Sequence, residues 1–152
     1  KMAVNVDISG KILEKGRLNY SLNGLECLPG EFFKGNAFEY LAWAKKREKL
    51  FDIIVLDPPS FARFKGFSFN VQRDLDSLVE ASAAVLAPDG FLMVSSNYSA
   101  FRLENFAQKA LNNVKKICGN AQIIWKRSQS ADFVGTGLTK DSSLCAVLIQ
   151  NL

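Results

Sequence analysis

The spacing of apolar and polar positions divides the chain into short apolar runs that alternate with stretches of helical period. Residues 3–6 make a first short strand ending at Asp7. Ser9 then stands where a helix needs a cap, and Asn23-Gly24 closes that helix after Leu22. A weak strand over 31–34 leads to Asn36, which with Glu39 makes a capping-box pattern for a helix reaching Lys49. The run over 51–56 is the clearest strand, and a loop is expected from there to Asn70. Val71, Leu75, Leu78, Val79, Ser82 and Leu86 line one helical face, which Pro88-Asp89-Gly90 stops before a strand over 91–95. Leu103, Phe106, Ala107, Ala110, Leu111, Val114 and Ile117 form the cleanest amphipathic stripe, ended by Gly119. Strands over 121–125 and 144–149 complete the pattern. The polar stretch between them holds Gly135-Thr136-Gly137, which no helix follows and which carries no cofactor meaning. Strands alternating with helices predict an α/β domain with a mainly parallel sheet and helices on both faces.

The 152 residues suit one domain, and 48% hydrophobic with 22% charged residues is an ordinary globular composition. No apolar run approaches the roughly 20 residues that span a bilayer. Cys27, Cys118 and Cys145 have spacings that fit neither a disulfide framework nor a zinc site. No membrane, no metal and a cytoplasmic location are the expectations. A net charge of +4 leans toward an anionic partner, although Lys45-Lys46-Arg47 and Lys115-Lys116 read first as solvated helix faces. The chain has no histidine. A Ser-His-Asp hydrolase or a histidine-ligated zinc centre is thereby excluded from it.

The most informative stretch is FDIIVLDPPSF, residues 51–61. Its β-branched run is the pattern of a strand buried on both faces, and the prolines force the chain out of the sheet where Asp57 sits. Open α/β sheets bind ligands outside the carboxyl ends of their strands. Asp57-Pro58-Pro59-Ser60-Phe61 is therefore placed for chemistry, the plainer reading being a strand-ending turn with a buried Phe. Asp7 has the same placement, or is a helix-start acid near a positive dipole end. Beyond Phe61, the aromatics Phe64, Phe67 and Phe69 interleave with Arg63 and Lys65, a mixture suited to stacking on unpaired bases and holding phosphates. With twelve phenylalanines in the chain, part of that set is expected in the core.

Asp7, Leu22-Asn23-Gly24, Gly35-Asn36-Ala37-Phe38, the DPPSF motif, Phe69-Asn70-Val71-Gln72-Arg73-Asp74 and Ser95-Ser96-Asn97 occur in the order and spacing of class I S-adenosylmethionine-dependent methyltransferases. The chain most resembles the bacterial enzymes that methylate large-subunit ribosomal RNA, of the 5-methylcytosine and N7-methylguanine groups. The resemblance implies a Rossmann-like sheet with an antiparallel last strand and S-adenosylmethionine as cofactor. It implies that Asp7 and Ile8 face the ribose, that Asn36 and Ala37 read the adenine in place of the usual Asp, and that Asp57 borders cofactor and target base. Phe61 is placed to stack on that base, with Arg63, Phe64, Lys65 and Asn97 on the RNA side. Asn97 is open to a second role, as cap of a helix beginning near Phe101, and Asn36 to that of a plain cap.

No Gly-rich turn lies upstream of Asp7. Residues 1–152 are accordingly expected to form a single, incomplete catalytic domain lacking its first strand and Gly-rich loop. A missing upstream segment or self-association would complete the sheet. Methylating a pyrimidine C5 requires a covalent nucleophile, and no Cys stands just after residues 91–95, Cys118 and Cys145 lying elsewhere. Guanine N7 has a free lone pair and needs only alignment. Methyl transfer to ribosomal RNA without a Cys nucleophile is the leading expectation. A non-catalytic RNA-binding fragment of the fold, or a methyltransferase acting on a protein or small molecule, are the alternatives.

Overall fold

The computed structural model describes residues 2–64, 66–128 and 144–152. Strand β1 (Asn5–Asp7), helix α1 (Gly10–Leu22), β2 (Phe32–Lys34), α2 (Ala37–Lys46) and β3 (Phe51–Leu56) follow one another. Next come β4 (Phe61–Phe64), β5 (Phe67–Asn70), α3 (Val71–Ala83), β6 (Leu86–Ser96), α4 (Leu103–Cys118), β7 (Ala121–Ser128) and β8 (Cys145–Asn151). The caps foreseen for the first two helices are made: Ser9 Oγ accepts from the amide of Ile12, and Asn36 Oδ1 from that of Phe38.

Hydrogen bonding divides the strands into three sets. β1 and β2 pair in parallel, β4 and β5 form an antiparallel hairpin, and a four-stranded sheet runs in the order β3-β6-β8-β7. β3 and β6 are parallel, while β8 is antiparallel to both its neighbours, β6 and β7. The antiparallel last strand expected of the fold is thus present, but the four-stranded sheet is mixed rather than mainly parallel, because β8 pairs antiparallel on both its sides. Phe32 points to α1, meeting Tyr20 with centroids 5.2 Å apart, and Phe33 points to α2, meeting Tyr40 at 5.1 Å. Successive strand residues face opposite sides, so α1 and α2 cover opposite faces of the β1–β2 pair.

The main core lies between the four-stranded sheet and α2, α3 and α4. Leu92, Val94, Val147 and Ile149 are fully buried there against Leu78, Val79, Ala107 and Val114. The opposite face of β3 is open: Ile53 is 66% and Val55 59% exposed. Among the described residues β3 is also an edge strand, paired only on its β6 side.

Four further sequence expectations need correction. The region from Asp57 to Asn70 is not a plain loop, because Ala62, Phe67 and Phe69 supply a core face that pairs it into the β4–β5 hairpin. Helix α2 stops at Lys46 rather than Lys49, where the chain turns through Glu48 at φ +53°. Leu86 belongs to β6 and not to the helix before it, since the amide of Phe51 bonds Val85 O and draws the chain into the sheet. Pro88-Asp89-Gly90 then forms an excursion inside β6, between the pairs Phe51–Leu86 and Ile53–Phe91. Asp89 there has φ +59°, and a Cβ on Gly90 would lie 2.8 Å from Ala87 O, so the excursion requires glycine. The Gly135-Thr136-Gly137 stretch lies outside the described residues.

Candidate active site

Two groups of expected residues assemble at strand ends. The first is at the carboxyl ends of β1 and β2. The amide of Gly35 donates to Asp7 O at 3.0 Å, which holds the Gly35-Asn36-Ala37 turn beside Asp7 and Ile8. Asp7 Oδ1 accepts the Ser9 amide at 2.6 Å, fixing the carboxylate over the start of α1. An ionised carboxylate offers about four lone-pair sites, so Asp7 keeps acceptor capacity for a vicinal diol. Asn36 is buried and its Oδ1 caps α2 at 2.9 Å. The cap reading is therefore realised, and any adenine contact would use the remaining lone pair or the NH2 group.

The second group joins the ends of β3 and β6. Ser95, only 5% exposed, donates its hydroxyl to Asp57 Oδ1 at 2.7 Å and approaches Leu56 O at 3.3 Å. Ser60 Oγ donates to Asn97 Oδ1 at 3.3 Å. Pro58 and Pro59 lie between these two ties, so the turn is stapled to β6 on both sides of the prolines. Asn97 does not cap the following helix: α4 begins at Leu103 with Arg102 at its cap, and Asn97 is turned to Ser60 instead. The role of Ser95 was not legible in the sequence, where a serine late in a strand looks like any other.

The β4–β5 hairpin projects directly from this turn. Its register places Phe61 opposite Asn70 and Arg63 opposite Ser68, all on one face. Phe61 is 52% exposed with the Arg63 guanidinium 5.3 Å from its ring centroid. Phe67 and Phe69 face the other way, Phe67 against Phe38 and Phe69 buried. The described aromatics thus split by strand period, Phe61 to the solvent side and Phe67 and Phe69 to the core side. Lys65 and the side chain of Phe64 lie outside the described residues.

The Asn70 to Asp74 segment fixes the hairpin. Arg73 donates to Ser68 O at 2.9 Å and pairs with Asp74 at 2.8 Å, while Asp74 Oδ2 accepts the Asn70 amide at 2.7 Å. The hydrogen bond from Arg73, followed by that of the Asn70 amide, holds the Asp74 carboxyl below its ordinary value. Cys145 is nearer the site than its sequence position suggests, standing across from Ser96 at the start of β8. It is buried, its Sγ is 3.7 Å from Phe101 O, and burial pushes its thiol up despite the opposing charge of Arg102. It is no ready thiolate. Among the described residues no cluster of His, Cys, Asp and Glu could hold a metal ion, and no helix is long and apolar enough to cross a membrane.

The sequence and the fold match known proteins. The S-adenosylmethionine-dependent methyltransferase family aligns with residues 1–117. Ribosomal RNA large subunit methyltransferase K of Neisseria meningitidis is 34% identical over 115 residues, 73% of this chain and 32% of that protein. Ribosomal RNA large subunit methyltransferase K/L of Magnetococcus marinus is 38% identical over 114 residues, 71% of this chain and 15% of its own length. The chain therefore spans about a third or less of these relatives. In fold, it superposes on a structure solved in complex with SAH at a TM-score of 0.81 and 22% identity, covering 98% of this chain and 39% of that one. The SAM-dependent methyltransferase of Agrobacterium tumefaciens gives 0.73 and 19%, covering 97% and 48%. With the motif residues gathered at the ends of β1 and β3, the chain belongs to the S-adenosylmethionine-dependent methyltransferase family.

Proposed function

We propose that this chain serves in methyl transfer from S-adenosylmethionine to a base of ribosomal RNA, at a ring nitrogen such as guanine N7. The reading rests above all on the stapled Asp57-Pro58-Pro59-Ser60 turn, from which the exposed Phe61 and Arg63 project. The names of the relatives in Neisseria and Magnetococcus support ribosomal RNA as the target class.

The donor set fits the cofactor. Asp7, with one oxygen fixed by the Ser9 amide, presents acceptor capacity to the ribose hydroxyls, and Ile8 borders them. Asn36 and Ala37 lie beside it for the adenine. When bound, the cofactor supplies an electrophilic methyl group on a sulfonium whose sulfur leaves as a neutral thioether. The protein's part is alignment. Pro58 and Pro59 fix the carbonyl directions of the turn, Ser95 orients Asp57, and Asn97 shares the rim with Ser60. Phe61 stacks on a base extracted from its helix, and Arg63 and Lys65 hold phosphate. A ring nitrogen attacks through its own lone pair, so no covalent nucleophile or general base is required. The raised, buried thiol of Cys145 agrees with that route.

The edge of β3, unpaired among the described residues, supports a further strand beside it, from an upstream segment or a neighbouring chain. The test is transfer of labelled methyl to ribosomal RNA lacking its modifications, followed by mapping of the product. Label at a purine ring nitrogen, lost with Asp57→Ala, is expected. Label at a pyrimidine C5, or on protein alone, would overturn the reading.

A further inference from the structure

Four cations on the α3–α4 side are neutralised, while Lys115 of α4 stands in no ion pair among the described residues. Lys109 pairs with Asp76 at 2.7 Å, Lys116 with Glu80 at 2.8 Å, Lys126 with Glu104, and Arg73 with Asp74 at 2.8 Å. The carboxyl end of α2 is different. Lys45, Lys46, Arg47 and Lys49 fall within one turn and its exit, with Glu48 as the acid among them. Among the described residues none of these four cations pairs with a carboxylate. Arg47 and Lys49 lie instead over the indole of Trp43, 5.4 and 5.8 Å from its centroid, and Lys49 also lies 5.4 Å from the Phe51 ring. Trp43 is 43% exposed and backed by Tyr40, with ring centroids 5.4 Å apart.

Lys45 and Lys46 complement the negative end of the helix dipole, which accounts for two of the charges. It does not account for a half-exposed indole, braced from behind by Tyr40 and flanked by two unneutralised cations, Arg47 and Lys49. A flat aromatic face combined with guanidinium and ammonium groups is what single-stranded nucleic acid recognises: bases stack on the ring, and phosphates meet the charges. We propose that the carboxyl end of α2 is a second RNA-contact surface, in which Trp43 stacks on an unpaired base and Lys45, Lys46, Arg47 and Lys49 neutralise phosphates. The proposal rests on the reading that the partner is RNA.

The surface is separate from the candidate active site. Phe51 opens β3 beside Lys49 and Asp57 follows its last residue, so six residues at roughly 3.3 Å each put the two about 20 Å apart. This end of α2 grips RNA remote from the target base and contributes to affinity and salt dependence.

The test is anisotropy titration of a labelled single-stranded oligoribonucleotide with the whole chain over a range of salt. Trp43→Ala is expected to weaken binding roughly tenfold, the usual loss for one base-stacking aromatic. The combined Lys45→Gln, Lys46→Gln, Arg47→Gln variant is expected to flatten the log–log salt slope by about 2, at roughly 0.7 per single-strand phosphate contact. All three side chains are exposed, so this variant decides the matter if Trp43→Ala fails to fold. If the wild type binds and both variants match it in affinity and slope, the surface is refuted while RNA remains the partner. If the wild type itself does not bind RNA, the partner assignment falls and takes this proposal with it.

Discussion

The two faces of the four-stranded sheet are built from the same strands yet meet different surroundings. On one face Leu92, Val94, Val147 and Ile149 are fully buried beneath α3 and α4. On the other, Ile53 and Val55 of β3 are more than half exposed, at 66% and 59%. Both sets are aliphatic and β-branched or nearly so, and composition does not tell them apart. The difference corrects the expectation that the apolar run 51–56 is buried on both faces: among the described residues only the side of Ile54 and Leu56 packs against the core. It also places the open side next to Asp57, at the carboxyl end of β3.

The comparison can be broken first by truncating each face. Leu92→Ala is expected to cost about 2–5 kcal/mol in urea unfolding, the usual range for a fully buried aliphatic. Ile53→Ala is expected to cost under about 1 kcal/mol, because its side chain is already largely in water. Equal costs would mean that the open face is covered in solution, and a second copy would be the first suspect.

A smaller effect concerns the hairpin beside that crevice. The Asp74 carboxyl is held below its ordinary value by Arg73 and the Asn70 amide, so its folded pKa is depressed relative to the unfolded chain. Its stabilising contribution is therefore complete above the ordinary carboxylate value of about 4 and is lost as the pH falls through the depressed one. Unfolding curves of wild type and Asp74→Asn should be separated at neutral pH and converge in acid. A separation that persists unchanged in strong acid would contradict the clamp.

Much of the fold was readable because its elements follow local rules. Ser9 and Asn36 cap their helices as their positions announced, and the α4 stripe of Phe106, Ala107, Ala110 and Val114 is the buried stripe. The misreadings fall where tertiary pairing overrides local pattern. Leu86 continues the helical period but is taken by β3, and Phe67 and Phe69 look like loop aromatics until the hairpin turns them inward. For the site, the Asp57 turn and Asp7 were visible as acids at strand ends. The ties that orient them were not: Ser95 on Asp57 and Ser60 on Asn97 join residues more than 35 positions apart, and no spacing in one sequence carries that.

The central claim is that the end of β1 holds S-adenosylmethionine. Calorimetric titration of this chain and of Asp7→Ala with S-adenosylhomocysteine tests it most directly. The account predicts measurable binding by the wild type and at least a roughly tenfold weakening in the variant, as expected when hydrogen bonds to a charged group are removed. Equal affinity in the two proteins would contradict it.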